Sequence, residues 1–438
     1  MLTPAYAPAP RTGRGPRAAV AVLVALVLLA AGLAVADLRA YLVAQAGAPT
    51  FVAGNSSAEA AIAAVLHRRA QAVLAHDQGA FLATADPSRP AFVARERTEY
   101  ANLVALGLSS FTLDPDPAHG YPLPATAGGA AGLTGPPRAV AVTVRYAVAG
   151  LDDAPVAEPW VPVFGLRQGH WVLLDEVTGG TVPAGVGGLP WQTGPIAVKR
   201  TPHIVAVVSA DDEQLAGHLL DLAEQGLSRA LAVRPTGWPG RVLVTAVTDS
   251  TVFRAYFRDD PEHVRQVAAI AVSTFDAVPT WSSRAAYVTT RVLFNPDTFG
   301  DGDAELLHTF THEFTHAAMG ALTAANTPSW LIEGIAEYVA YLGDGAGDGT
   351  ATRLLSRVDL PATLPADAGF YDSADNYTLS WLACRLIART YGQARLLALY
   401  QRFHDGTDDQ ATALQAVLGV SQASFTTAWL AYLRQLQR

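Results

Sequence analysis

His312-Glu313-Phe314-Thr315-His316 places two imidazoles four residues apart with a carboxylate beside the first. On a helix, positions i and i+4 share one face about a turn apart, so both rings can reach a single metal ion. Zinc suits such a pair, because it accepts neutral imidazole nitrogen and tolerates an open fourth position. Glu313, next to the first ligand, is placed to take a proton from a water activated there. A third ligand is expected in Trp330-Leu331-Ile332-Glu333-Gly334-Ile335-Ala336-Glu337-Tyr338. Glu333 lies among Trp330, Leu331, Ile332 and Ile335, a costly place for an unpaired carboxylate.

Two helices must position these groups. The first is expected to start at Asp303 as N-cap, with Glu305 in its first turn and Leu306, Leu307, Phe310 and Phe314 as its buried face. The second starts at Thr327-Pro328. Residues 317–332 leave room for the first helix to finish, a turn, and an antiparallel helix that returns Glu333 to the metal. Glu337, one turn further on the same face, can hold a ligand histidine by its other ring nitrogen. His308, one turn before His312, reads as a neighbour of the site rather than a fourth ligand.

HEFTH followed by PSWLIEGIAEYVA resembles the gluzincin metallopeptidases, and most of all the bacterial extracytoplasmic peptidase MA-like domains. The resemblance covers roughly residues 197–438 and includes the closing GVSQASFTTAWLAYLRQL. It implies a zincin-type domain in which His312, His316 and Glu333 bind Zn2+ and Glu313 is the catalytic base. The spacing to Glu333 is a little shorter than in the best-known members, which affects the loop more than the metal geometry. Related domains often place a tyrosine against the tetrahedral intermediate; Tyr371 and Tyr377 are candidates, Tyr377 preferred. Arg291 to Asn295 is similar to the edge strand that pairs with an extended substrate, with an ordinary core strand as the alternative. Gluzincin aminopeptidases hold the substrate amine with a Gly-x-Met-Glu-Asn signature, and the methionines here are Met1 and Met319. An endopeptidase or narrow processing enzyme is therefore expected.

The rest of the chain sets the context. Half of its 438 residues are hydrophobic and 16% are charged, which excludes wholesale disorder. The formal net charge of −9 argues against a nucleic-acid partner, which needs a basic footprint. Cys384 is the single cysteine, so there is no disulfide framework and no cysteine zinc cluster, and its apolar helix makes it packing. No G-x-S-x-G occurs to supply a serine nucleophile. Gly343 to Gly349 fits neither a phosphate loop nor a calcium loop and reads as a turn.

Ala18 to Ala36 is an uncharged apolar run. As a helix it would span about 28 Å, enough for a bilayer core of about 30 Å. Arg11, Arg14 and Arg17 before it place residues 1–17 in the cytoplasm and everything after the run outside. A cleavable signal peptide ending at Ala34-Val35-Ala36 is the rival to this single-pass cell-membrane anchor. Residues 37–56 read as a tether, 57–178 as an α+β unit, 179–196 (rich in Gly and Pro) as a linker, and 197–438 as the metal-binding domain.

In the 57–178 unit, helices with Ile62, Val65, Leu66 and Val73, then from Phe92 to Leu106, precede Pro/Gly-rich punctuation from Asp114 to Pro137. A strand from Ala139 to Val148 follows, then Trp160–Arg167 and Trp171–Asp175 as a hairpin turning at Gln168-Gly169. This order resembles the nuclear-transport-factor-two-like cone. Strands are next expected near His203–Ser209, Arg241–Val247, Val267–Ser273 and Tyr287–Phe294, with a helix over Asp212–Ala232 and a helical run from Asp303 onward.

The expectation is thus an α+β, membrane-anchored zinc peptidase acting outside the cytoplasm on a peptide or protein. Oligomeric state stays open. A cell-surface binding module with structural zinc or none is the alternative. The anchor is checked by fractionation: the full chain should sediment with membranes and lose its outer part to protease added outside. A soluble mature protein beginning at Asp37 would instead establish the signal peptide.

Overall fold

The computed structural model describes residues 56–438, apart from 122, 124–131, 179–181, 183–184, 235, 258–266, 299 and 344. The expected anchor and tether lie outside the described residues. Among the described residues, no helix is long and apolar enough to cross a membrane.

The chain is α+β, with one mixed sheet and a helical C-terminal half. Helices α1 (Ser56–Leu74), α2 (Gln78–Leu82) and α3 (Pro90–Leu106) come first. Proline opens α3, where its missing N–H costs nothing, and Gly107 closes it in the left-handed conformation. Strands β1 (Leu108–Tyr121), β2 (Arg138–Val148), β3 (Val156–Trp160), β4 (Pro162–Arg167) and β5 (His170–Glu176) follow. The β4–β5 hairpin turns at Gln168 and Gly169, both at positive φ, as a two-residue turn requires. β3 and β4 are one strand interrupted at Val161, and both lie antiparallel on β2.

β1 corrects one expectation. The segment from Asp114 to Tyr121 is strand, not loop, pairing with β2 as far as Tyr121↔Ala139. Its prolines are tolerated because, among the described residues, β1 pairs with β2 alone and its outer edge makes no ladder.

The second half supplies β6 (Ile196–Arg200), β7 (Ile204–Ser209), α4 (Ala216–Val233), β8 (Val242–Ala246), α5 (Ser250–Arg254), β9 (Ala269–Phe275) and β10 (Tyr287–Phe294). Strand order across the sheet is β5-β4-β2-β3-β9-β10-β8-β7-β6. β7, β8 and β10 run parallel, while β6 and β9 are antiparallel to their neighbours. The Arg291–Asn295 stretch is therefore no edge: Arg291, Val292 and Leu293 pair with β8 on one side and β9 on the other. Their backbone groups are already in ladders, which leaves none for an added peptide strand.

Helices α6 (Asp303–Met319), α7 (Ser329–Ala340), α8 (Ala346–Leu355), α9 (Asp375–Tyr391), α10 (Gln393–Asp405), α11 (Gln410–Leu418) and α12 (Gln422–Leu436) complete the chain. Gly302, not Asp303, occupies the N-cap of α6; Asp303 sits in the first turn, where its carboxylate meets His218. The Gly343–Gly349 turn is shorter than expected, since α8 starts at Ala346. Cys384 is buried in the core of the helical half, as packing.

Both faces of the sheet are covered. Val205, Val207, Leu243 and Leu293 share a core with Leu66, Leu103, Val144 and Tyr146 of the first half. Their neighbours Ile204, Val208, Val244 and Phe294 pack instead with Leu227 of α4 and Phe310 and Phe314 of α6. Sheet and core thus both cross the stretch expected to link two domains. Within that stretch Trp191 is buried edge-on to Tyr146, ring centroids 4.8 Å apart. Asn102 Nδ2 donates to the Trp191 carbonyl at 3.1 Å, and Asn102 Oδ1 accepts from Ile196 N–H at 3.2 Å.

A buried ion pair also spans the halves. Arg291 on β10 donates from Nη1 and Nη2 to the two carboxylate oxygens of Asp152, at 2.8 and 2.7 Å. Asp152 in turn accepts from Val148 N–H at 2.8 Å. Removing one member of a buried pair strands the other, at a cost of about 3–5 kcal/mol. Asp152→Ala should lower unfolding stability by that order in denaturant melts, and Asp152→Ala with Arg291→Met together should cost less than Asp152→Ala alone. Equal stability of the parent and Asp152→Ala would show that the halves do not depend on this clasp.

Candidate metal centre

α6 is laid on the sheet by Leu306, Phe310, Phe314 and Ala317. α4 crosses it so closely at Gly226 that a Cβ there would fall 2.9 Å from that of Phe310. This fixes the rotation of α6 and turns His308, His312 and His316 away from the sheet, toward α7. α7 is buried along its whole length. Asp367 Oδ1 accepts from Ser329 N–H at 2.7 Å at its start, and Gly334 lets α9 approach on its other side, where a Cβ would meet the Ser380 carbonyl at 2.6 Å.

Between the two helices three side chains converge. His312 Nε2 and His316 Nε2 are 2.9 Å apart. Glu333 Oε2 lies 3.3 Å from the first and 3.4 Å from the second. These are the separations expected of ligand atoms each about 2.0–2.2 Å from one metal ion. Glu333 is wholly buried, and its Oε2 makes no hydrogen bond of acceptable geometry despite these short approaches. A buried carboxylate oxygen without a donor, facing two imidazole nitrogens, is the signature of a cation site. The donor set of two nitrogens and one oxygen can hold a metal ion.

Glu337, one turn beyond Glu333, lies 2.8 Å by Oε1 from His312 Nδ1 and 3.3 Å from His308 Nε2. The contact at Nδ1 favours a proton there, which would leave Nε2 to face a metal ion. His308, His312 and Glu337 also lie close enough to bind a cation. Because Glu337 meets His312 at Nδ1 rather than Nε2, however, it orients that ring, and His308 holds Glu337 in turn.

The electrostatics follow from burial against charge. Desolvation alone would make His312 less basic, but Glu333 and Glu337 raise it well above an ordinary histidine. Basicity toward a proton at Nε2 is also basicity toward a metal. Desolvation leaves His316 less basic than usual, only partly offset by Glu333. Burial would raise Glu333 and Glu337, yet the histidines hold both below the usual carboxylate range. Glu313 differs. Burial pushes it up to about 8, with Glu333 and Glu337 adding to the effect and His312 opposing it. Its Oε2 is also buried without a hydrogen-bond donor. A divalent cation at the centre would lower that value, because its charge favours the ionised carboxylate.

The two tyrosines take different places around the centre. Tyr371, in a short turn before α9, donates its hydroxyl to Glu333 Oε1 at 3.3 Å. Tyr377, inside the first turn of α9, is buried with its ring centroid 6.3 Å from that of His312 and packs on Phe370 and Tyr371. The contact of Tyr371 with Glu333 had no local signal, since the two are far apart in sequence and meet only through the packing of α7 on the turn before α9.

No protein-family model matches the chain, and no curated protein matches it either.

Glu337→Gln preserves shape but removes the charge that makes His312 basic. Affinity for Zn2+, measured by competition with a chromogenic chelator, should fall about 10–100-fold. Unchanged affinity would mean that Glu337 does not orient His312.

Proposed function

We propose that this chain is a zinc metallopeptidase of the gluzincin type, anchored in the cell membrane by residues 18–36 and acting outside the cytoplasm. The observation that carries the reading is the convergence of His312 Nε2, His316 Nε2 and Glu333 Oε2 within 2.9–3.4 Å, with Glu313 buried beside them. Residues 197–438 are read as a zincin-type domain, supported by a helix on a mixed sheet that carries HEFTH and a second helix that returns the glutamate. Residues 57–178 are read as a cone-like unit, supported by helices followed by antiparallel strands.

His312, His316 and Glu333 would hold the metal. When bound, zinc supplies Lewis acidity toward a water and a scissile carbonyl. Glu313 takes the proton from the attacking water and passes it to the leaving amine. Its raised value in a dry site suits a group that must accept and then return one proton. Glu337 keeps His312 in the binding tautomer throughout. Tyr377, whose ring lies beside that of His312, is read as the hydroxyl that meets the tetrahedral oxyanion, while Tyr371 holds Glu333.

Two variants separate base from ligand. Glu313→Gln touches no ligand and should retain zinc nearly as the parent does, while peptide hydrolysis falls by several orders of magnitude. Glu333→Ala should weaken zinc binding itself. Both are measured as metal content after dialysis against a mild chelator, alongside turnover of a peptide library. Equal zinc loss in the two variants would undo the assignment of roles. A parent that takes up no zinc would sink the peptidase reading, and one that binds zinc stoichiometrically without cleaving anything would favour a surface binding module.

A further inference from the structure

The convergent groups and the carboxylate beside them are closed off from water. Glu313 is 2% exposed and Glu333 not at all, and His312, His316 and Tyr377 are buried with them. A peptide bond must come within reach of both the centre and Glu313 to be hydrolysed. Part of the cover therefore has to move before a substrate can enter. Most of the cover is ill placed to do so. α6 is packed on the sheet and crossed closely by α4, α7 is buried throughout, and α9 presses on α7 at Gly334.

Residues 356–374 differ. They connect α8 to α9 with no regular structure beyond the short turn Phe370–Asp372. Irregular connections longer than about 12–15 residues are uncommon in packed domains, and those that occur often serve as lids or binding loops. Arg357 Nη2 donates to Asp375 Oδ1 at 2.6 Å, which draws the two ends together and gives the loop a fixed base. Most of its side chains are exposed, while Leu364 and Phe370 are buried. Two polar contacts hold it beside the centre. Asp367 Oδ1 accepts from Ser329 N–H at 2.7 Å, and the Tyr371 hydroxyl donates to Glu333 Oε1 at 3.3 Å. Gly369, at φ 69°, makes the turn from which Phe370 enters the core and Tyr371 meets Glu333. The Tyr371 ring packs against both the core of the helical half and the core beneath the sheet, so it bridges the two.

We propose that residues 358–374 are a lid over the metal centre, latched by Tyr371 on Glu333 and by Asp367 on α7, which lifts to admit a peptide. The proposal rests on the peptidase reading and adds a gate to that site. Two polar latches and two buried side chains are a small attachment, of the kind that opens in a minor fraction of molecules while the domain stays folded. One carboxylate serves both purposes: Glu333 turns Oε2 to the centre and offers Oε1 to the lid.

The test weakens the latches without touching a metal ligand. Asp367→Ala removes the contact with Ser329. Gly369→Ala strains the turn that presents Tyr371, and its Cβ would fall 2.8 Å from Asp372 Oδ2. Zn2+ uptake by the detergent-solubilised full chain, and Zn2+ loss to a chelator, are followed by stopped flow. Both rates should rise together by about fivefold, the worth of one hydrogen bond, while the equilibrium affinity stays within about twofold. Turnover of a peptide library should rise with them. A variant that merely loosened α7 would lose zinc affinity instead, and that result in both variants would overturn the lid. In the metal-free chain, carbethoxylation of His316, mapped by mass spectrometry, should also speed up about fivefold. This last measurement needs neither zinc nor activity. Faster carbethoxylation in a chain that takes up no zinc would sink the peptidase reading and still support the lid. Unchanged zinc exchange and unchanged carbethoxylation in both variants would overturn it.

Discussion

Glu333 is a fully buried carboxylate whose charge partners are imidazoles rather than an arginine or lysine. A buried carboxylate is expensive unless something compensates it. Here the compensation is shared out. His312 and His316 face one oxygen, Tyr371 donates to the other, and Glu337 makes His312 basic enough to serve. Each of these contacts needs α6 and α7 at a particular rotation, so the charge at Glu333 dictates how the two helices are packed. Much of the scaffold can be understood as holding that packing in place.

The means are steric. Gly226 brings α4 onto α6 from the sheet side, and Gly334 brings α9 onto α7 from the other. Neither glycine sits at positive φ, so each is explained by the space it gives up rather than by backbone freedom. A side chain at either position would push a helix outward. Because the ligand atoms lie within 2.9–3.4 Å of one another, a displacement of an ångström at the backbone is comparable with the whole tolerance of the site. The sheet adds stiffness beneath α6, since β10 is paired on both edges and Arg291 ties it to Asp152 in the first half.

Local chemistry was legible in the sequence where it is carried by short spacings. His312, Glu313, His316 and the Glu333–Glu337 pair could be placed on helix faces from periodicity alone, as could the hairpin turn at Gln168-Gly169. Contacts set by tertiary packing were not legible. Tyr371, in the turn before α9, reaches Glu333 on α7, and nothing near either residue announces that contact. β1 was hidden because its prolines read as loop punctuation, and only the unpaired outer edge of the strand makes them acceptable. β10 could be read as an edge strand or as an ordinary core strand, because a sequence cannot count the neighbours a strand will find on either side. Trp191 sits in a stretch whose glycines and prolines suggested a linker, yet its buried indole packs into the core.

Crowding of carboxylates also bears on how folding and metal binding are coupled. Glu313, Glu333 and Glu337 are all buried at one seam, and three histidines are their neighbours. With neutral imidazoles the seam carries excess negative charge in a medium that screens poorly. Two routes relieve it: protons on His312 and Glu313, whose values are both raised, or a divalent cation between the convergent atoms. A proton on His312 Nε2 and a metal at the same nitrogen exclude each other. Binding of a cation would therefore release protons and return Glu313 to the ionised state that a general base requires. Under the proposed function, the same burial that makes the seam costly to form without a cation would give Glu313 its usefulness as a base once a cation is present.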